Sequence, residues 1–127
     1  MGWEIIVVEP ALSWLHELRR SDRLTLERIS QAITALEREG PGLGRPLVDT
    51  VQGSSLANLK ELRPGSSGAS EVRLLFIFDP KRQAVFLVGG DKSRNWSGWY
   101  RSAIAQAEQA YEQHLKRVEQ GERGDRP

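Results

Sequence analysis

The chain has 127 residues, no cysteine and a formal net charge of +1. That length suits one domain burying about two thirds of its unfolded surface, and the missing cysteines exclude disulfides, thiolate zinc sites and a cysteine nucleophile. Such usage fits a reducing cytoplasm. MGWEIIVVEP lacks the basic-then-apolar pattern of a signal peptide, and no apolar run approaches the roughly 20 residues of a membrane span.

In chain order, WEIIVV (3–8) is a short β-branched run and predicts a strand. Pro10 suits the first turn of a helix carrying Ala11, Trp14, Leu15 and Leu18 at helical spacing. A break at Ser21 and Asp22 starts a second helix, with Ser21 as N-cap and Leu26, Ile29, Ile33 and Leu36 as its buried stripe. GPGLGRP (40–46) ends this hairpin of helices, and 47–57 carries no clear pattern. LANLKELR (56–63) and EVRLLFIFD (71–79) read as strands, separated by Pro64 and a flexible GSSG. DPKRQ turns into a returning strand, AVFLVG (84–89). A last helix begins near Ser97, with Tyr100, Ile104, Ala107, Tyr111, Leu115 and Val118 on one stripe. Residues 1–120 thus form one domain, and the polar GERGDRP at 121–127 reads as a disordered tail.

The order strand, two helices, three strands, helix describes an α+β domain. Its small antiparallel sheet has helices on one face and leaves the other face open. Alternation along 72–78 groups Val72, Leu74, Phe76 and Phe78 toward the helices, which sends Arg73 to the open face. With Leu62 in the core, Glu61 and Arg63 share that open face, and Lys60 points the other way or sits near an edge.

Charge is distributed unevenly along the chain. Residues 58–101 hold eight Lys/Arg against four Asp/Glu, a balance of +4, and the remainder carries −3. The densest stretch is GGDKSRNWSGWY (89–100), where Lys92 and Arg94 stand beside Trp96, Trp99 and Tyr100. Cations with rings are chemistry for phosphates and bases. The rings could equally anchor the helix start, and for Trp99 core packing is the stronger reading.

Other chemistries find no support. Lys92-Ser93 after Gly89-Gly90 fails the phosphate-loop pattern, because Asp91 and Phe86 occupy the required glycine positions. GSSG is not a nucleophile elbow. His16 and His114, the two histidines, lie on different helices without a carboxylate at ligand spacing, so no metal or other cofactor is expected.

ELRPGSSG (61–68), VRLLFIFDP (72–80) and GGDKSRNWSGWYRSAI (89–104) together resemble the phage-derived Gp49-like branch of HigB toxins, within the RelE/ParE superfamily of type II toxin–antitoxin systems. The resemblance spans roughly residues 3–118. It implies a RelE/ParE-like fold and a metal-independent endoribonuclease that cleaves messenger RNA on the ribosome. It implies a helix-turn-helix, HigA-like antitoxin as partner, contact with operator DNA only through that antitoxin, and no membrane association. Carried over to this sequence, Arg63, Arg73, Lys92 and Tyr100 are the catalytic candidates, and Lys60, Arg94 and Trp96 are RNA-binding candidates. HigB-like proteins often carry a double lysine where this chain has Lys92 between Asp91 and Ser93. The alternative function is a ParE-like, non-enzymatic inhibitor of DNA gyrase; a third is a catalytically inactive nucleic-acid binder of the same fold.

Overall fold

The computed structural model describes residues 2–65, 71–93 and 95–124, excepting the side chains of 122–124. Three expectations therefore fall outside the described residues in whole or part: the GSSG segment beyond Gly65, Arg94, and positions 125–127. The elements are β1 (Glu4–Val7), α1 (Ala11–Ser21), α2 (Arg23–Glu39), a 3-10 turn (Gly40–Gly42), β2 (Val48–Thr50), β3 (Lys60–Leu62), β4 (Val72–Asp79), β5 (Gln83–Asp91) and α3 (Trp96–Gly124). The strands form one sheet in the order β1-β5-β4-β3-β2. β2 to β5 run antiparallel as a meander, and β1 joins the far edge parallel to β5.

Both faces of the sheet are covered. On one, Ala11, Ile29, Ala32 and Leu36 of the α1–α2 hairpin pack on Leu62, Leu74, Phe76 and Phe86. Phe76 and Phe86 stack at 5.0 Å between centroids, and both are fully buried. On the other, Ala103, Ala107 and Ala110 of α3 lie on Leu59, Leu75, Ile77, Val85 and Leu87. The expected open face is therefore corrected: α3 occupies it. Alanines spaced four and three residues apart make a smooth helical stripe, which lets the helix backbone approach the sheet closely.

Several boundaries shift for identifiable reasons. Asp22, not Ser21, caps α2: its carboxylate accepts from the Thr25 backbone N–H at 3.1 Å and the Thr25 hydroxyl at 2.6 Å. The stripe of α2 runs through Thr25, Ile29, Ala32 and Leu36, so Leu26 lines a surface hollow with Arg19 and Arg23. In α3 the most buried line is Ala103, Ala107, Ala110 and His114; Ala107 belongs to the expected stripe, Ile104 and Tyr111 of that stripe pack half-buried beside it, and Leu115 is exposed. Positions 121–124, expected to be disordered, continue α3. The segment 47–57 contributes an edge strand, β2, and β3 is shorter than the expected 56–63 because Asn58 takes a left-handed backbone (φ 67°) just before it.

Tandem glycines fix one place in β5. A Cβ at Gly89 would collide with the Trp14 ring on one face, and a Cβ at Gly90 with the Trp99 indole on the other. Two tryptophans thus press on the same point of one strand from opposite sides.

Candidate active site

Strand register assembles the site. Leu62 pairs with Leu74, so Arg63 lies one step further on, beside Arg73. Arg73 pairs with Gly90 and Val72 with Asp91, which brings the end of β5 alongside. The Lys92 backbone N–H donates to the Glu71 carbonyl at 3.1 Å, and Asp91 Oδ1 accepts from the Glu71 and Ser93 N–H groups at 3.0 and 2.9 Å. Asn95 then caps α3, its Oδ1 accepting from the Gly98 N–H at 3.2 Å. The helix consequently starts at the strand end, and its first turn delivers Trp96, Trp99 and Tyr100 over the cations.

Lys92 Nζ lies 4.7 Å from the Trp96 ring centroid and 5.3 Å from that of Tyr100. Only 6 % of Lys92 is exposed. Burial first, then the positive field of Arg73, pushes its pKa below the ordinary lysine value, with Glu71 and Glu61 opposing. The Tyr100 hydroxyl donates to Glu61 Oε1 in a short hydrogen bond. Burial, then that carboxylate, raises the phenol pKa well above its usual value, so Tyr100 stays protonated at neutral pH.

Arg73, expected on an exposed face, is buried, because α3 covers the sheet there. Its Nη1 donates to the Val72 carbonyl at 2.8 Å, Nε lies 3.6 Å from Glu61 Oε1, and Nη2 lies 3.8 Å from Glu71 Oε1. Nε has no hydrogen-bond partner within the described residues. Arg63 Nη1 lies 3.8 Å from Asp49 Oδ2, which Arg45 also holds at 2.7 Å. Arg63, Arg73 and Glu71 line one open hollow with Leu47 and Pro46. A second hollow, walled by Trp96 and Tyr100, takes in Glu61, Thr50 and Gln52.

The structure therefore brings together Arg63, Arg73, Lys92, Trp96 and Tyr100. Lys60 stands apart: it is on the opposite side of β3 from Glu61, and its Nζ donates to Thr50 Oγ1 at 3.0 Å. Trp99 packs into the α3-side core, as expected, and Trp96 is 59 % exposed. Sequence reasoning assigned Glu61 to the right face but gave it no role. The available signal was a lone carboxylate flanked by Leu59 and Leu62 in a buried strand, a position that demands partners. Among the described residues no three His, Asp or Glu side chains gather as metal ligands, and no helix is long and apolar enough to cross a membrane.

The model of the family described as phage-derived protein Gp49-like matches residues 13–112, which include every member of this cluster. The chain belongs to that family. It is 50% identical over 119 residues to a Mycobacterium tuberculosis protein named "Putative toxin HigB2", and 43% identical over 111 residues to "Putative toxin HigB3" of the same organism. The matches cover 94% and 87% of this chain. The chain spans 57% of the length of the first relative and 92% of the second. Among solved structures, a double-arginine mutant of the E. coli toxin RelE in its free state superposes with a TM-score of 0.58. That match has 14% identity and covers 83% of this chain and 96% of the other, so this chain has a RelE-like fold. Neither the family match nor these relatives support the gyrase-inhibitor alternative.

Proposed function

We propose that this Gp49-like chain is the toxin of a type II toxin–antitoxin pair and acts as a metal-independent endoribonuclease on messenger RNA at the ribosome. One observation carries the reading: Arg63, Arg73 and Lys92, distant in sequence, meet beside the rings of Trp96 and Tyr100. The RNA supplies its own nucleophile. The 2′-oxygen attacks the adjacent phosphorus, the bond to the 5′-oxygen breaks, and a cyclic phosphate and a 5′-hydroxyl end result. Arg63 and Arg73 stabilise the charge that develops on the phosphoryl oxygens, since guanidinium stays protonated and offers paired donors. The 2′-hydroxyl must lose a proton and the leaving 5′-oxygen must gain one. Lys92, whose charged form is disfavoured by burial and Arg73, takes the first as the amine or gives the second as the ammonium, and water serves the other oxygen. Tyr100 is not the base, because its phenol holds its proton; it contributes a ring and an oriented hydroxyl. Trp96, exposed at the rim, stacks on a nucleobase.

The partner is a helix-turn-helix, HigA-like antitoxin that covers this toxin, and operator DNA is reached through the antitoxin alone. Induced expression of the chain should arrest bacterial growth, and co-expression of the neighbouring antitoxin should restore it. Cut messages recovered from arrested cells should end in 2′,3′-cyclic phosphates, and purified protein should cut messenger RNA on programmed ribosomes without a stoichiometric bound metal. Soluble expression with normal growth and intact messages sinks the proposal.

A further inference from the structure

The cation cluster is not bare. Three carboxylates face the two arginines: Asp49 at Arg63, and Glu71 and Glu61 at Arg73, with Glu61 also accepting from the Tyr100 hydroxyl. A site built for a phosphodiester should avoid negative charge, since a like charge opposes the substrate at close range. Two of these acids have room to yield. The side chain of Glu71 is 50% exposed and that of Asp49 28%, so an arriving phosphate can replace them on the arginines. Glu61 has no such freedom, for its side chain is 10% exposed and sits between the two hollows under the first turn of α3.

We infer that Glu61 is the positioning residue of this site, the fixed anion that holds the Arg73 guanidinium and the Tyr100 ring in one arrangement while substrate occupies the other faces of both. The inference rests on the nuclease reading above for its effect on turnover, but the anchor itself is a property of the free protein. Three observations support it. Glu61 Oε1 alone receives the Tyr100 hydroxyl and faces Arg73 Nε, so one atom ties a strand arginine to a helix tyrosine. Arg73 Nη1 is held independently by the Val72 carbonyl, so Glu61 and that carbonyl grip the guanidinium at two different nitrogens. Tyr100 in turn stands 5.4 Å from Trp96 and 5.3 Å from Lys92 Nζ, so the position of its ring sets the other two. A buried arginine without a counter-ion is costly, and a buried phenol needs an acceptor; Glu61 answers both with a single group. Its charge also reaches Lys92, where it favours the protonated amine.

The test substitutes Glu61→Gln in the full chain, which keeps size and an acceptor oxygen but removes charge. Single-turnover cleavage on programmed ribosomes should fall on the order of 10- to 100-fold at saturation, as misplaced groups do, with KM unchanged or lower because a negative charge has left. In the free protein, the side-chain NMR titration of Lys92, assigned by its loss in Lys92→Arg, should move to lower pH. Glu61→Asp separates geometry from charge: it should retain the Lys92 titration near wild type yet fail to restore turnover. If Glu61→Gln is too unstable to titrate, Glu61→Asp carries the turnover test alone, and wild-type turnover there overturns the inference. Wild-type turnover in Glu61→Gln, or an unmoved Lys92 titration, also overturns it. If the unsubstituted protein cuts no RNA, the nuclease reading fails, and the Tyr100 ring resonances of the free protein, which should shift in Glu61→Gln and Glu61→Asp alike, still decide the anchor: unmoved ring signals overturn it.

Discussion

The two faces of the sheet are built from opposite materials. Toward α1 and α2 the sheet presents Leu62, Leu74, Phe76 and Phe86, and large side chains fill the space. Toward α3 the buried helix residues are Ala103, Ala107 and Ala110, flanked by half-buried Trp99, Ile104 and Tyr111, and the strands carry Leu75, Ile77, Val85 and Leu87. Beyond Ala103 that second face changes character, and Tyr100, Trp99 and Trp96 roof over Arg73, Glu61 and Lys92. The change follows a register irregularity between Leu75 and Phe76, where β4 and β5 slip past each other. One face is a pure core. The other is a core along Ala103–Ala110 and a charged chamber beyond it, with the same helix as lid to both. A chamber sharing its lid with a core is rigid, which is what positioned chemistry requires.

The sharpest contrast between the faces should come from the largest side chain on the first. Phe76→Ala should cost about 3–5 kcal/mol of stability, through lost burial and the cavity left against Phe86. Urea unfolding measures it, and turnover per folded molecule should stay near wild type, because Phe76 does not touch the chamber. On the second face, Arg73→Ala and Lys92→Ala should each lower single-turnover cleavage on the order of 10²-fold. Arg73→Ala also leaves Glu61 buried beside an empty place, so its melting temperature should drop and rates must be referred to folded protein. Lys92→Arg distinguishes the roles: a proton-transfer lysine is not rescued by a group that keeps its proton.

Trp96→Ala should give a smaller change. An exposed ring contributes little to packing, and a lost base stack is worth about 1–3 kcal/mol, so KM should rise roughly tenfold, kcat should fall by less as Lys92 loses the ring that covers it, and the melting curve should hold. An unchanged KM would place no base on Trp96. The mildest test lies at the far end of α3, where burial lowers the pKa of His114, opposed by Asp79 and aided by Arg117 and Lys81. A histidine with a depressed folded pKa lends stability that is present above about pH 6.5 and lost as pH falls toward its folded value, because the unfolded chain then binds the extra proton. Stability should decline on acidification from pH 7 to 5, by at most about 1.4 kcal/mol per pH unit from this group, and His114→Gln should flatten that part of the curve.

Most strands and all three helices were legible because their signals are local. The β-branched runs at 72–78 and 84–88 alternate or stay apolar over enough residues to specify a face, and α2 carries its own periodicity. β2 was not legible, since Val48–Thr50 is too short to display alternation. The covering of the second face was hidden for a different reason: alanines carry little hydrophobic signal, so the stripe of α3 was drawn through Ile104 and Leu115 rather than Ala103 and Ala110. The cluster itself followed from strand parity at Arg63 and Arg73 and from the position of Lys92 after β5. Parity also set Glu61 on that face, but the burial of the cluster and the contacts of Glu61, Asp49 and Glu71 with its arginines did not follow, because parity names a face but not what lies upon it. Lys60 lies on the opposite side of the strand from Glu61, as its parity indicated, and only its bond to Thr50 was not legible.

The paired glycines of β5 have a genetic consequence. Position 90 and position 99 share one volume, so a methyl gained at the first must be met by ring lost at the second. Gly90→Ala alone should push the Trp99 indole against Tyr100, whose ring is 5.1 Å away, and so disturb the phenol held by Glu61. A selection for survivors of toxin expression should then recover Gly90→Ala among the escape alleles. Reversion of that allele to toxicity should map to Trp99 trimmed to a smaller apolar residue, an allele-specific suppressor that neither change would predict by itself.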